Sequence, residues 1–118
     1  MAEAFGTQQQ FRPHQGRESL QLTQSVVANL YDVPANSLFG GTRGGQRVVF
    51  ARHVAIYLMH VVFRSSRAEV GRFFGRDRKT VSYAIDKIED LREDPCFDRQ
   101  LTALEELLSR ASNLTVTL

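Results

Sequence analysis

Apolar residues along this chain recur at spacings of three and four, the period of one helix face, and no pair of alternating runs marks a β-hairpin. Met1–Gly16 is polar, rich in Gln and without any such period, so residues 1–18 are expected to form a disordered arm. From Ser19 a first helix begins, with Val26, Val27, Leu30 and Tyr31 on one face. Pro34 suits the first turn of a short helix carrying Leu38 and Phe39. Gly40-Gly41 ends it, and the run 40–47 (GGTRGGQR) reads as a flexible basic loop. A long helix is predicted from Val49 to Phe63, with Phe50, Val54, Tyr57, Leu58, Val61 and Val62 as its buried stripe.

Ser66 followed by Glu69 is a capping-box pattern that opens a helix through Phe74, with Val70, Phe73 and Phe74 as its apolar face. Gly75 fits that helix's C-terminus, and Asp77 fits the N-cap of the next, Arg78–Arg92, whose stripe is Val81, Ala84, Ile85, Ile88 and Leu91. Asp94-Pro95 opens a last helix in which Leu101, Leu104, Leu107 and Leu108 face inward, towards the core or, alternatively, a dimer seam. The fold class is therefore all-α: a bundle of about six helices within residues 19–112, with a short tail at 113–118.

Size and composition narrow the function classes. A chain of 118 residues can bury a sufficient core without a disulfide or metal staple. The single cysteine, Cys96, excludes an intramolecular disulfide and reads as a small buried apolar residue. His14, His53 and His60 are too scattered for metal spacing. The longest apolar stretch, Val48–Phe63, is broken by Arg52, His53 and His60 and does not suit a membrane span. The N-terminus lacks a signal-peptide pattern, so a cytoplasmic location is expected. No Ser/His/Asp or Cys/His arrangement points to catalysis, and Gly40–Gly45 is not followed by Gly-Lys-Ser/Thr, which excludes a Walker A loop. Neither a cofactor nor a small-molecule substrate is expected.

The net charge of +2 hides a strong asymmetry: −1 over residues 1–38, +7 over 39–83 and −4 over 84–118. The cationic block is almost all arginine, whose planar fork of donors matches phosphate oxygens and the guanine edge. Its placement coincides with two helices joined by a tight turn at Gly75, the sequence form of a helix-turn-helix. In that motif the second helix enters the major groove and reads base edges with its N-terminal residues. The stripe starting at Val81 leaves Arg78, Lys79, Ser82 and Tyr83 pointing outward, with Arg76 in the turn before them. Tyr83 faces the groove or packs on a neighbouring helix. The helix becomes acidic only after its second turn, at Asp86, Glu89 and Asp90, where it would leave the groove.

These residues carry a resemblance. The pieces Asp32–Phe39, Ala51–Leu58 (ARHVAIYL), Ser66–Gly71 (SRAEVG), Phe74–Ala84 (FGRDRKTVSYA) and Lys87–Glu93 (KIEDLRE) make the stretch from Val26 to Leu108 similar to the C-terminal DNA-binding domain of the bacterial replication initiator DnaA. The resemblance implies a Trp-repressor-like helical bundle that binds double-stranded DNA on the nucleoid. It implies base contacts in the major groove from Asp77, Arg78, Lys79 and Thr80, although Asp77 is also an N-cap and Thr80 a helix-start hydroxyl. It further implies a minor-groove arginine, Arg43 or Arg47, and phosphate contacts from Arg52 and His53. The family's recognition turn reads Asp-His-Thr-Thr, whereas here it reads Asp77-Arg78-Lys79-Thr80, which favours guanine acceptors and phosphates over a thymine methyl. The family's full initiator carries an AAA+ ATPase upstream, for which 118 residues leave no room, so DNA binding without nucleotide hydrolysis is expected.

The implied role is regulation of replication initiation by a monomer at initiator-type sites. A small transcription regulator built on the same fold is the alternative. From a different class, a protein-interaction adaptor with a basic face would bind DNA no better than any polycation.

Overall fold

A computed structural model of the protein describes residues 13–40 and 45–117. Among them the chain forms five α-helices and one 3-10 helix, with no strand: α1 (Pro13–Tyr31), the 3-10 helix (Ala35–Phe39), α2 (Gly45–Val61), α3 (Arg67–Phe74), α4 (Arg78–Leu91) and α5 (Pro95–Thr117). The all-α architecture follows the helical period of the sequence, with one short element wound more tightly than expected.

The central element is α2, against which α1, the 3-10 helix, α3 and α4 all pack. Instead of one buried stripe it buries Val48, Ala51, Val54, Ala55, Ile56, Tyr57, Leu58 and Met59, which lie all round its axis. A helix enclosed by its neighbours loses its polar face, so a single-face pattern underestimates its burial. Val61, expected in the stripe, is instead exposed, although Val62 and Phe63 after it still pack against the core. The helix also starts four residues earlier than Val49, at Gly45, whose φ of 79° glycine tolerates without strain. Leu38, Val27, Phe74, Ile85, Ile88, Leu101 and Leu108 complete the core.

The first helix begins at Pro13, so the part of the expected arm from Pro13 to Glu18 is helical; residues 1–12 lie outside the described residues. Gly16 explains part of this extension. A Cβ at Gly16 would stand 3.4 Å from the Phe73 ring of α3, so the helix lies close against that ring without needing an apolar side chain of its own.

At the other end α5 runs through Thr117, well into the expected tail. It buries Leu101, Leu104 and Leu108 but leaves Leu107 half exposed, because three inward leucines already complete the face that meets the core. Cys96, expected inside, is exposed in the first turn of α5. Arg92, just after α4, fastens this helix. Its guanidinium donates to Asp98 Oδ1 (2.6 Å), Glu105 Oε2 (2.7 Å), Thr102 Oγ1 (2.9 Å) and the Tyr57 hydroxyl oxygen on α2 (3.0 Å). Burial works against its charge, but the bonds to Glu105, Asp98 and Tyr57 outweigh that and hold its pKa above the usual arginine value. One side chain thus ties α5 to the central helix.

Candidate nucleic-acid interface

The unit α3–turn–α4 is shaped by local chemistry. Ser66 Oγ accepts from the Glu69 N–H (3.1 Å), and Glu69 Oε1 accepts from the Ser66 N–H (3.0 Å), so both orphan donors at the start of α3 are satisfied. The helix stops at Gly75, whose φ of 64° suits a residue without Cβ. The Gly75 and Arg76 N–H groups both donate to the Gly71 carbonyl, the latter at 2.9 Å. Gly71 itself touches the turn so closely that a Cβ there would stand 2.5 Å from the Arg76 carbonyl oxygen. Asp77 then caps α4, its Oδ1 accepting from the Thr80 N–H at 2.8 Å. That hydrogen bond is the main reason the exposed carboxyl is held below its usual pKa.

From that cap, Val81, Ala84, Ile85 and Ile88 turn into the core at positions one, four, five and eight of a helical repeat. The opposite side of the N-terminal end is left bare. Arg78, Lys79 and Thr80 are all exposed there, and Tyr83 is 57% exposed one turn on. Leu91, read as the end of the stripe, is 38% exposed because the helix has run past its neighbours.

Tyr83 packs on a neighbouring helix while most of its surface stays open. Its ring is open to solvent, and its flank meets His53 of α2 in an edge contact with centroids 5.9 Å apart. The Lys87 ammonium, one helical turn further, lies 6.0 Å from the Tyr83 centroid. Burial, followed by the charges of Arg52, Lys87 and Arg76, lowers the His53 pKa and so favours the neutral ring, which offers a hydrogen bond rather than a standing positive charge.

Three arginines named from the sequence have other surroundings than expected. Arg52 is buried, 4% exposed, and is corrected from a phosphate contact to an internal clamp. Its Nε donates to the Leu38 carbonyl (2.7 Å) and Nη2 to the Ser37 carbonyl (2.9 Å), satisfying the C-terminal carbonyls of the 3-10 helix. Arg76 sits in the turn as placed, yet its Nη1 donates to the Phe74 carbonyl and its Nη2 to the Gly40 carbonyl, each at 2.7 Å. It therefore joins the turn to the root of the basic loop. Arg47 is not in a loop but exposed on the first turn of α2, and Arg43 lies outside the described residues.

Ser82 is half-buried and its hydroxyl accepts from Arg67 Nη1 at 2.7 Å. Arg67 and Lys87 are the residues that sequence reasoning missed. Lys87 could have been found at four residues from Tyr83. Arg67 could not, since its approach to Ser82 depends on how α3 and α4 cross.

Comparison with known proteins sets this geometry in context. The family described as the bacterial dnaA protein helix-turn-helix matches residues 21–88. The chromosomal replication initiator protein DnaA of Deinococcus deserti is 36% identical over 100 residues, covering 85% of this chain and 21% of that protein. The corresponding protein of Bartonella quintana is 42% identical over 88 residues, covering 74% of this chain and 17% of its own length. The chain thus spans about a fifth of the length of the curated relatives it matches. A solved structure of the replication initiator DnaA bound to AMPPCP and single-stranded DNA superposes with a TM-score of 0.74 at 28% identity, over 84% of this chain and 30% of that one. A crystal structure of a DNA replication initiation factor gives 0.75 at 29% identity, over 83% and 30%.

Proposed function

Because the chain belongs to the bacterial DnaA helix-turn-helix family, we propose that it binds double-stranded DNA sequence-specifically, with the N-terminal end of α4 in the major groove, and serves replication initiation at initiator-type sites. The observation that carries this reading is the bare end of α4. Its core-facing stripe fixes the helix's rotation, and what remains outward is Arg78, Lys79, Thr80 and Tyr83. A helix end of that kind fits the groove as the recognition helix of this motif does. Arg78 and Lys79 then favour guanine N7 and O6, and Asp77 combines its capping with contact to a neighbouring base amino group. Arg47 lies along the flanking backbone or minor groove, Lys87 meets phosphate, and His53 offers a neutral donor beside Tyr83. The domain acts as a monomer in the cytoplasm, on the nucleoid.

Duplexes selected from a random pool supply the preferred site, and fluorescence anisotropy measures affinity for it. With about five phosphates neutralised, log affinity falls with log salt at a slope of roughly −4 to −5. Arg78→Ala and Lys79→Ala each weaken the preferred duplex by about 1–3 kcal/mol and flatten the preference at one base pair. Variants that bind the selected duplex like the wild type reject the placement of α4.

One feature favours a second use. Arg78-Lys79 stands where the family's turn has His-Thr, so the preferred site differs from the usual initiator box, and promoters are the alternative location. Genome-wide binding separates the two by placing peaks at an origin or at promoters.

A further inference from the structure

We infer that Arg67, on the helix that precedes the recognition helix, sets part of the sequence preference by holding the Ser82 hydroxyl while its free donors grip a phosphate. The inference rests on the docking of α4 proposed above and deepens it.

Arg67 is the first residue of α3 and is half-buried, and its Nη1 donates to Ser82 Oγ at 2.7 Å. The cap at this helix end is already supplied by Ser66 and Glu69, so the arginine has no part in it. A guanidinium has five N–H donors in a fixed plane. One is committed to Ser82, which leaves the others for a further acceptor beside the place where α3 meets α4. In a helix-turn-helix the first helix crosses the sugar-phosphate backbone while the second lies in the groove. A planar cation at that crossing is suited to two phosphate oxygens, as a lysine would not be.

The effect on Ser82 is a matter of donor and acceptor count. A hydroxyl has one proton and two lone pairs. With Arg67 occupying a lone pair, the proton is left to point elsewhere, and Ser82 stands four residues after Arg78 on the same outward side of α4. It is thereby biased to donate, towards a purine N7, guanine O6 or thymine O4, and against the amino group of cytosine. A free serine would rotate to suit either. Arg67 is thus a positioning residue for base reading and a direct contact for the phosphate.

The test uses the full chain and its selected duplex, with every single base substitution at the position read by Ser82. Arg67→Ala is expected to lose roughly tenfold in affinity and to lower the magnitude of the salt slope by about 1. Ser82→Ala should keep the slope. Both should lose discrimination at the same base pair, and the double variant should lose no more of it than either alone. Arg67→Lys should retain the slope while losing the discrimination, because a single ammonium lacks the fork that serves both partners. Circular dichroism of each variant establishes that α4 is still folded, and Arg67→Gln serves if Arg67→Ala is not. If Arg67→Ala keeps slope and discrimination while the wild type still prefers its duplex, the inference fails and the docking of α4 stands. If the wild type prefers no duplex, both fall.

Discussion

Gly71→Ala sets two effects of opposite sign against each other. Helix propensity alone favours alanine over glycine in a helix interior by about 1 kcal/mol. The added Cβ, however, would stand 2.5 Å from the Arg76 carbonyl oxygen and 3.7 Å from Val81 Cγ2. The nearer obstacle is backbone, which cannot swing aside as a side chain does. It belongs to a residue whose N–H is bonded to the Gly71 carbonyl at 2.9 Å, so moving it strains the bond that closes α3. Overpacking of this kind costs about 1–3 kcal/mol, and a weakened backbone hydrogen bond adds about 1. After subtraction of the propensity gain, the variant is expected to be less stable by about 1–3 kcal/mol. Urea unfolding followed by circular dichroism reads this directly. With a slope of about 1–3 kcal/mol per molar for a domain of this size, the midpoint should fall by about 1 M. A midpoint equal to or above that of the wild type would mean that the turn yields freely, and the account of a helix-turn-helix held by backbone contact would be wrong.

Other substitutions separate structural arginines from binding ones. Arg92→Ala should destabilise the fold by about 2–4 kcal/mol, since it strands Glu105, Asp98 and Tyr57 around a vacated site; an unchanged urea midpoint counts against the fastening of α5. Arg52→Ala should cost about 1–3 kcal/mol of stability, because the Leu38 carbonyl loses its donor and the Ser37 carbonyl keeps only the Gly40 N–H, whereas Arg47→Ala should leave the midpoint in place and lower the salt slope of DNA binding by about 1. The reverse pattern would restore Arg52 to the phosphate contacts. His53, with a folded pKa below its ordinary 6.5, binds fewer protons folded than unfolded. Its contribution to stability is therefore intact above that value and is lost as pH falls through it. His53→Gln should flatten the decline in melting temperature on acidification below 6.5, and an identical decline in the variant contradicts the assignment.

What could be read from the sequence was what neighbouring residues decide among themselves. Ser66 with Glu69, Gly75 and Asp77 are each recognised by partners within four residues, and both ends of α3 and the start of α4 lie where those signals put them. The stripe of α4 was legible for the same reason, and with it the exposure of Arg78, Lys79 and Thr80. Arg52 was not legible, because an arginine on an otherwise apolar helix looks exposed until the Leu38 carbonyl, fourteen residues back, is known to face it. Arg76 reaches Gly40 across thirty-six residues, and Arg67 meets Ser82 only because two helices cross at a given angle. The extension of α1 to Pro13 escaped notice since glycine and glutamine carry no apolar period, even where a bare glycine is what lets the helix approach Phe73. Leu107 shows the converse error: a leucine three residues after Leu104 still faces water, because Leu101, Leu104 and Leu108 take the face that meets the core and leave it on the flank.

The charge order along α4 has a cost for the unliganded molecule. Aligned peptide dipoles make a helix N-terminus partly positive, where anions are welcome and cations are not. This helix has Arg78 and Lys79 in its first turn, no acidic side chain there, and no basic one in its last turn. The Asp77 carboxylate at the cap stands against that repulsion. Each misplaced charge costs about 0.3–1 kcal/mol, a small standing tension that the cooperative fold tolerates. A polyanion laid across the tip would remove it, so the helix would be electrostatically at rest in the complex and not before.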